Sequence, residues 1–94
     1  MVLGKSSESD APPVVHRERS RDQEISKAFG LRVREARLRA AMTQEQLAEA
    51  AGLHATFISN IERGYRVPTL VTLLRLAAGL GVSPGTLVDG LPAD

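Results

Sequence analysis

The chain has no cysteine and no tryptophan, and its aromatic residues amount to Phe29, Phe57 and Tyr65. Without cysteine there are no disulfide staples and no thiolate zinc site, which fits a reducing compartment. His16 has no partner at metal-ligand spacing, so no metal is expected. No apolar run is long enough for a signal peptide or a membrane span, which predicts a cytoplasmic protein with no membrane partner. An excess of one charge is missing too. Twelve Lys and Arg oppose eleven Asp and Glu, for a net charge of +1. Residues 1–24 hold four cations against five anions, and residues 25–94 hold eight against six. Neither part is basic enough for charge alone to point to nucleic acid, so any such reading rests on pattern. No stretch alternates apolar and polar residues between turns, which argues against strands. No nucleophile is paired with a base, no carboxylates face each other, and no glycine loop is shaped to cradle phosphate. Neither an enzyme nor a cofactor is expected.

What is present is helix. Ala, Leu, Arg and Glu dominate a chain of 94 residues, room for one small domain. Residues 1–20 contain GKSSESDAPP and little apolar matter, and read as a disordered tail or arm. Ser20 followed by Gln23 resembles a capping box that opens a first helix over residues 21–41, with Ile25, Phe29, Val33 and Ala36 at helical spacing. Thr43 with Gln46 forms a second capping box, and Gly52 is suited to end that helix in a left-handed conformation. A third helix starts near His54 and stops at Gly64. After Tyr65-Arg66-Val67-Pro68, Thr69 caps a fourth helix whose Leu70, Leu73, Leu74, Leu76, Ala77 and Leu80 form a broad apolar stripe. Ser83-Pro84 opens a short fifth helix carrying Leu87 and Val88. The expected architecture is a compact all-α domain of five helices over residues 21–94.

Residues 43–64, TQEQLAEAAGLHATFISNIERG, are two short helices around a glycine turn. Leu47, Ala48 and Ala51 mark one face of the first; Phe57, Ile58 and Ile61 mark one face of the second. At about 100° per residue, Thr56, Ser59, Asn60 and Arg63 cluster on the side opposite Ile58. Short hydrogen-bonding side chains plus an arginine are the types that reach base edges and phosphates, whereas an ordinary solvated face carries more Glu and Lys.

The blocks FGLRVREAR, TQEQLAEAAGL, FISNIERG and PTLVTLLRLAAGLGVSPGTL stand in the order and spacing of the lambda-repressor-like helix-turn-helix family, also called Cro/C1 or Xre. The chain resembles that family from Phe29 to Leu91. The segment GLHATFISNIERG particularly resembles the controller proteins of restriction–modification systems. The resemblance implies a five-helix fold, the second motif helix in the major groove, and dimers on palindromic operators. It implies a phosphate contact for Gln44 and base reading by Ala55, Thr56, Ser59 and Asn60. Arg63, Tyr65 and Arg66 would follow the phosphate backbone. Ala55 departs from the family pattern, in which a longer polar or basic residue is common. Its methyl suits a thymine methyl but cannot hydrogen-bond, which shifts specificity toward Thr56, Asn60 and DNA shape.

The resemblance also implies an ion pair between Arg37 and Glu62, read here as scaffolding because Glu62 would repel phosphate. His54 reads as a surface residue at a cap, and Arg32, Arg34 and Arg39 as solvated charges. Arg17, Arg19 and Arg21 are interleaved with Glu18 and Asp22, which argues against an arm inserted in the minor groove. Leu80, Val82, Leu87, Val88 and Leu91 supply more apolar surface than a terminal helix buries, and a homodimer is expected because one motif reads too few base pairs. The sequence thus points to a double-stranded DNA-binding transcription regulator. Its rivals are an antitoxin whose tail binds a toxin partner, distinguishable by a toxin-sized neighbouring gene, and a helical module with no DNA role.

Overall fold

The structure, a computed structural model, describes residues 12–92, with side chains from Arg21 onward. Five helices follow in order: α1 Pro12–Arg39, α2 Gln44–Ala51, α3 Ala55–Glu62, α4 Leu70–Leu80 and α5 Pro84–Val88. No strand occurs among the described residues. No described helix is long and apolar enough to cross a membrane.

The first helix departs from expectation at both ends. It starts at Pro12 rather than near Arg21, so Ser20 lies inside a 28-residue helix instead of capping one. Proline suits the first turn, where its missing N–H has no helical partner, and the Arg- and Glu-rich residues that follow favour helix intrinsically. Residues 1–11 of the expected tail lie outside the described residues. At its far end α1 stops at Arg39, and Ala41 takes the left-handed conformation at φ 57°. There the N–H of Met42 bonds the Arg37 carbonyl at 3.1 Å and that of Ala41 bonds the Leu38 carbonyl at 3.0 Å. This is the Schellman closure that usually recruits glycine, built here on an alanine.

The caps read from sequence stand at α2 and α4. Thr43 Oγ1 accepts from the Gln46 N–H at 3.0 Å, while Gln46 Oε1 accepts from the Thr43 N–H at 2.8 Å. Thr69 Oγ1 accepts from the Thr72 N–H at 3.2 Å. At α5, Pro84 occupies the first turn, but the Ser83 hydroxyl makes no backbone capping bond and lies 3.3 Å from Thr86 Oγ1.

The core joins one stripe from every helix: Phe29, Val33 and Ala36; Leu47, Ala48 and Ala51; Ile58 and Ile61; Leu76, Ala77 and Leu80; and Leu87. Helix α1 packs on α3 and α5, and α4 packs on α2. Gly30 marks the crossing of α1 and α3, because a Cβ there would collide with the Ile61 carbonyl oxygen. Only glycine lets the two backbones approach so closely. Arg32, expected to be a solvated charge, instead bonds the Thr86 carbonyl at 3.1 Å and the Asp89 carbonyl, tying α1 to the end of α5. A cation suits the carbonyl-rich end of a helix. Arg34 and Arg39 are exposed as expected.

The apolar surplus also sits elsewhere than expected. Leu80 and Leu87 are core, and Val82 and Leu91 pack against it. Among the described residues, Leu31 and Leu38 are exposed on α1, and Tyr65, Val67, Leu70, Val71, Leu74 and Val88 are exposed along the approach to α4, its outer side and the end of α5. Beside them lies a groove of about 250 Å³ floored by Ile25, Phe29 and Leu73. The α4 stripe is wider than the core it serves, so Leu70 and Leu74 remain outside.

Candidate nucleic-acid interface

Helix α3 is set by what surrounds it. The three-residue turn Gly52-Leu53-His54 separates it from α2, with Gly52 at φ 71° and the Leu53 N–H bonded to the Ala48 carbonyl at 2.8 Å. Ile58 and Ile61 are fully buried, which fixes the rotation of α3 about its axis. His54 occupies the N-cap position in an extended conformation, exposed and without a side-chain capping bond. The helix ends at Glu62, and beyond its Arg63 cap Gly64 turns the chain at φ 81°, so that the Tyr65 N–H reaches back to the Asn60 carbonyl at 2.8 Å.

The Arg37–Glu62 pair is present and bidentate. Arg37 Nε donates to Glu62 Oε2 at 2.6 Å and Nη2 donates to Oε1 at 3.0 Å. Its Nη1 donates to the Met42 carbonyl at 2.9 Å, and Gln44 Nε2 donates to Glu62 Oε1 at 3.0 Å. Both charged side chains are buried, at 9% and 3% exposure. The hydrogen bond to Glu62 raises the Arg37 pKa above its ordinary value, burial opposes this, and the carboxylates of Glu62 and Glu45 reinforce it. Glu62 is thus paired with Arg37 inside the scaffold and takes no place on the outer face.

On that outer face, Thr56 and Arg63 are exposed, and Ser59 and Asn60 are half-buried. Arg63 Nη2 donates to Ser59 Oγ at 3.0 Å, and its guanidinium carbon lies 5.4 Å from the centre of the Tyr65 ring. Tyr65 and Arg66 are exposed in the loop that follows. Ser59, Arg63 and Tyr65 are thus linked from α3 into its exit loop, with Thr56 and Asn60 at neighbouring positions of the helix face opposite Ile58. Ala55 is half-buried and packed against the core, so its methyl is partly withdrawn from that side. Gln44, half-buried, lies at the start of α2, anchored to Glu62. Its second amide N–H and its carbonyl oxygen are not used in that bond. Sequence reasoning treated Ser59, Arg63 and Tyr65 as separate residues and missed their connection. The four-residue step from Ser59 to Arg63 was the available signal.

This arrangement has known counterparts. A family model described as helix-turn-helix matches residues 33–87. The control protein C.BamHI of Bacillus amyloliquefaciens is 45% identical over 62 residues, spanning 65% of this chain and 76% of that protein. The control protein C.SmaI of Serratia marcescens is 52% identical over 42 residues, 45% of this chain and 50% of its own. The crystal structure of the restriction–modification controller protein C.AhdI from Aeromonas hydrophila is also similar. It superposes with a TM-score of 0.65 at 39% identity, covering 66% of this chain and 94% of that one. With the motif, the inner ion pair and the outward polar side all in place, the chain belongs to the helix-turn-helix family of transcription regulators, of the Cro/C1 type.

Proposed function

We propose that this protein binds double-stranded DNA sequence-specifically as a homodimer on a palindromic operator, with α3 in the major groove. The observation that carries this is the outer side of α3. It presents two hydroxyls, an amide and an arginine, while the helix's one carboxylate, Glu62, is turned inward and paired. Such a side can approach phosphates without repulsion and donate to base edges. In this reading Thr56, Ser59 and Asn60 read bases and Ala55 offers a methyl to thymine. Arg63, Tyr65 and Arg66 hold the backbone, and Gln44 gives its remaining amide N–H to a phosphate.

Two copies supply the recognition length that one motif lacks, with half-sites about 34 Å apart along the duplex. The exposed Val67, Leu70, Val71, Leu74 and Val88 provide an apolar surface on which copies can associate. The names of C.BamHI and C.AhdI support a controller role in a restriction–modification system, where protein concentration and operator arrangement set output.

The decisive experiment is selection of bound duplexes from a random pool, followed by titration of the selected site. Asn60→Ala and Thr56→Ala are each expected to weaken binding about tenfold, the scale of one good base contact. Light scattering on the complex is expected to give two chains per site. Enrichment of no sequence, or one chain per site, would overturn the proposal.

A further inference from the structure

Ser59, Arg63 and Tyr65 form a connected chain of contacts that bears on the hydrogen-bonding role of the Ser59 hydroxyl. The Tyr65 backbone is fixed by its N–H bond to the Asn60 carbonyl at 2.8 Å, just after Gly64 turns the chain at φ 81°. The Tyr65 ring itself is exposed, and the Arg63 guanidinium carbon lies 5.4 Å from its centre. A cation over an aromatic ring is attracted by the ring's quadrupole, and the contact removes freedom from a long, flexible side chain. So held, Arg63 donates through Nη2 to Ser59 Oγ at 3.0 Å, one turn earlier. A serine hydroxyl has one donor and two acceptor positions, and its rotor ordinarily serves either role. With a cationic donor already on its oxygen, the hydroxyl is polarised: its O–H is a better donor and its oxygen a poorer acceptor.

We propose that Tyr65 is a positioning residue for base recognition: through Arg63 it fixes Ser59 as a hydrogen-bond donor. Such a donor selects a base edge that offers an acceptor in the major groove, namely guanine N7 or O6, adenine N7 or thymine O4. It discriminates against cytosine, which offers an amino donor there. The inference rests on the DNA reading above and adds to it the direction of one hydrogen bond and the residue that sets it.

The test is selection from a random duplex pool at fixed ionic strength with wild type, Ser59→Ala, Tyr65→Ala, Tyr65→Phe and Arg63→Lys. Wild type is expected to deplete cytosine at one position of each half-site, and Ser59→Ala to erase that preference. Tyr65→Ala is expected to weaken it about fivefold, the worth of one hydrogen bond, with preferences at other positions kept. Tyr65→Phe retains the ring and is expected to retain the preference. Arg63→Lys keeps the charge but loses the flat stacked donor, and is expected to behave as Tyr65→Ala at that position. The inference is overturned if Tyr65→Ala weakens all sequences equally, as a plain phosphate contact would, or if Tyr65→Phe does the same damage as Tyr65→Ala. Wild type enriching no sequence at all would instead bring down the DNA reading itself, and this inference with it.

Discussion

The inner and outer sides of α3 are separated by half a helical turn and are held in opposite ways. Inside, Ile58 and Ile61 are fully buried, and Glu62 is gripped by two hydrogen bonds from Arg37 and one from Gln44. Outside, the side chains are tied by one hydrogen bond, from Arg63 to Ser59, and by a ring beneath a cation. The inner side fixes where the helix lies and how it is rotated; the outer side is left free to meet a ligand. Stability and recognition are thus divided between the two faces of α3 and its exit loop.

The largest effect that would test this division is expected at Glu62. Glu62→Ala leaves the Arg37 guanidinium buried with the Met42 carbonyl as its remaining partner, and is expected to cost about 3–5 kcal/mol. In a domain this small that lowers the melting temperature by on the order of 20 °C, readable by thermal circular dichroism. The double variant Arg37→Met/Glu62→Leu is expected to recover most of the loss, because the pair's desolvation cost disappears with its attraction. A Glu62→Ala protein as stable as wild type would show that the inner side does not hold the helix as described.

A second, smaller effect lies at the turn where the inner network begins. Ala41 stands at φ 57°, a conformation in which Cβ crowds the backbone, and its neighbour Met42 gives its carbonyl to Arg37. Ala41→Gly removes that crowding at an exposed position and is expected to stabilise the domain by about 0.5–1 kcal/mol in urea unfolding. A loss instead would mean that the Arg37–Met42 bond depends on alanine's stiffness, placing the turn among the parts that hold α3.

How much of this was legible in the sequence follows the same line. The inner side was readable because its signals are local or periodic: Thr43 with Gln46, Gly52, Gly64, and the spacing of Phe57, Ile58 and Ile61. Arg37 with Glu62 needed the family resemblance, since nothing in their spacing of 25 residues announces a contact. The start of α1 at Pro12 was missed because the added turns have helix propensity but no apolar period. The end of α1 was set two residues late because Ala41 carries no glycine signal. The anchoring of Arg32 on α5 and of Gln44 on Glu62 depends on elements brought together only by the fold, so charge alone reads Arg32 as solvated, and nothing in the spacing of Gln44 and Glu62 announces their bond. The exposure of Leu70 and Leu74 escaped because a stripe of leucines does not say how much of it a partner helix will cover.

The smallest expected change in stability carries the most information about the outer side. Thr56 is exposed and Asn60 half-buried, and no side-chain hydrogen bond to either occurs among the described residues. Thr56→Ala and Asn60→Ala are therefore expected to change stability by less than about 0.5 kcal/mol, within the range of ordinary surface substitutions. Alanine also favours helix more than either residue, which pushes the change toward zero or slight gain. The same two variants are the ones expected to lose about tenfold in affinity for a selected duplex. Measured together, unfolding and binding separate the two sides. A variant that binds weakly with an unchanged unfolding midpoint places its residue in recognition. A variant whose midpoint falls in step with its affinity would place Thr56 or Asn60 in the scaffold and move the boundary between the faces outward.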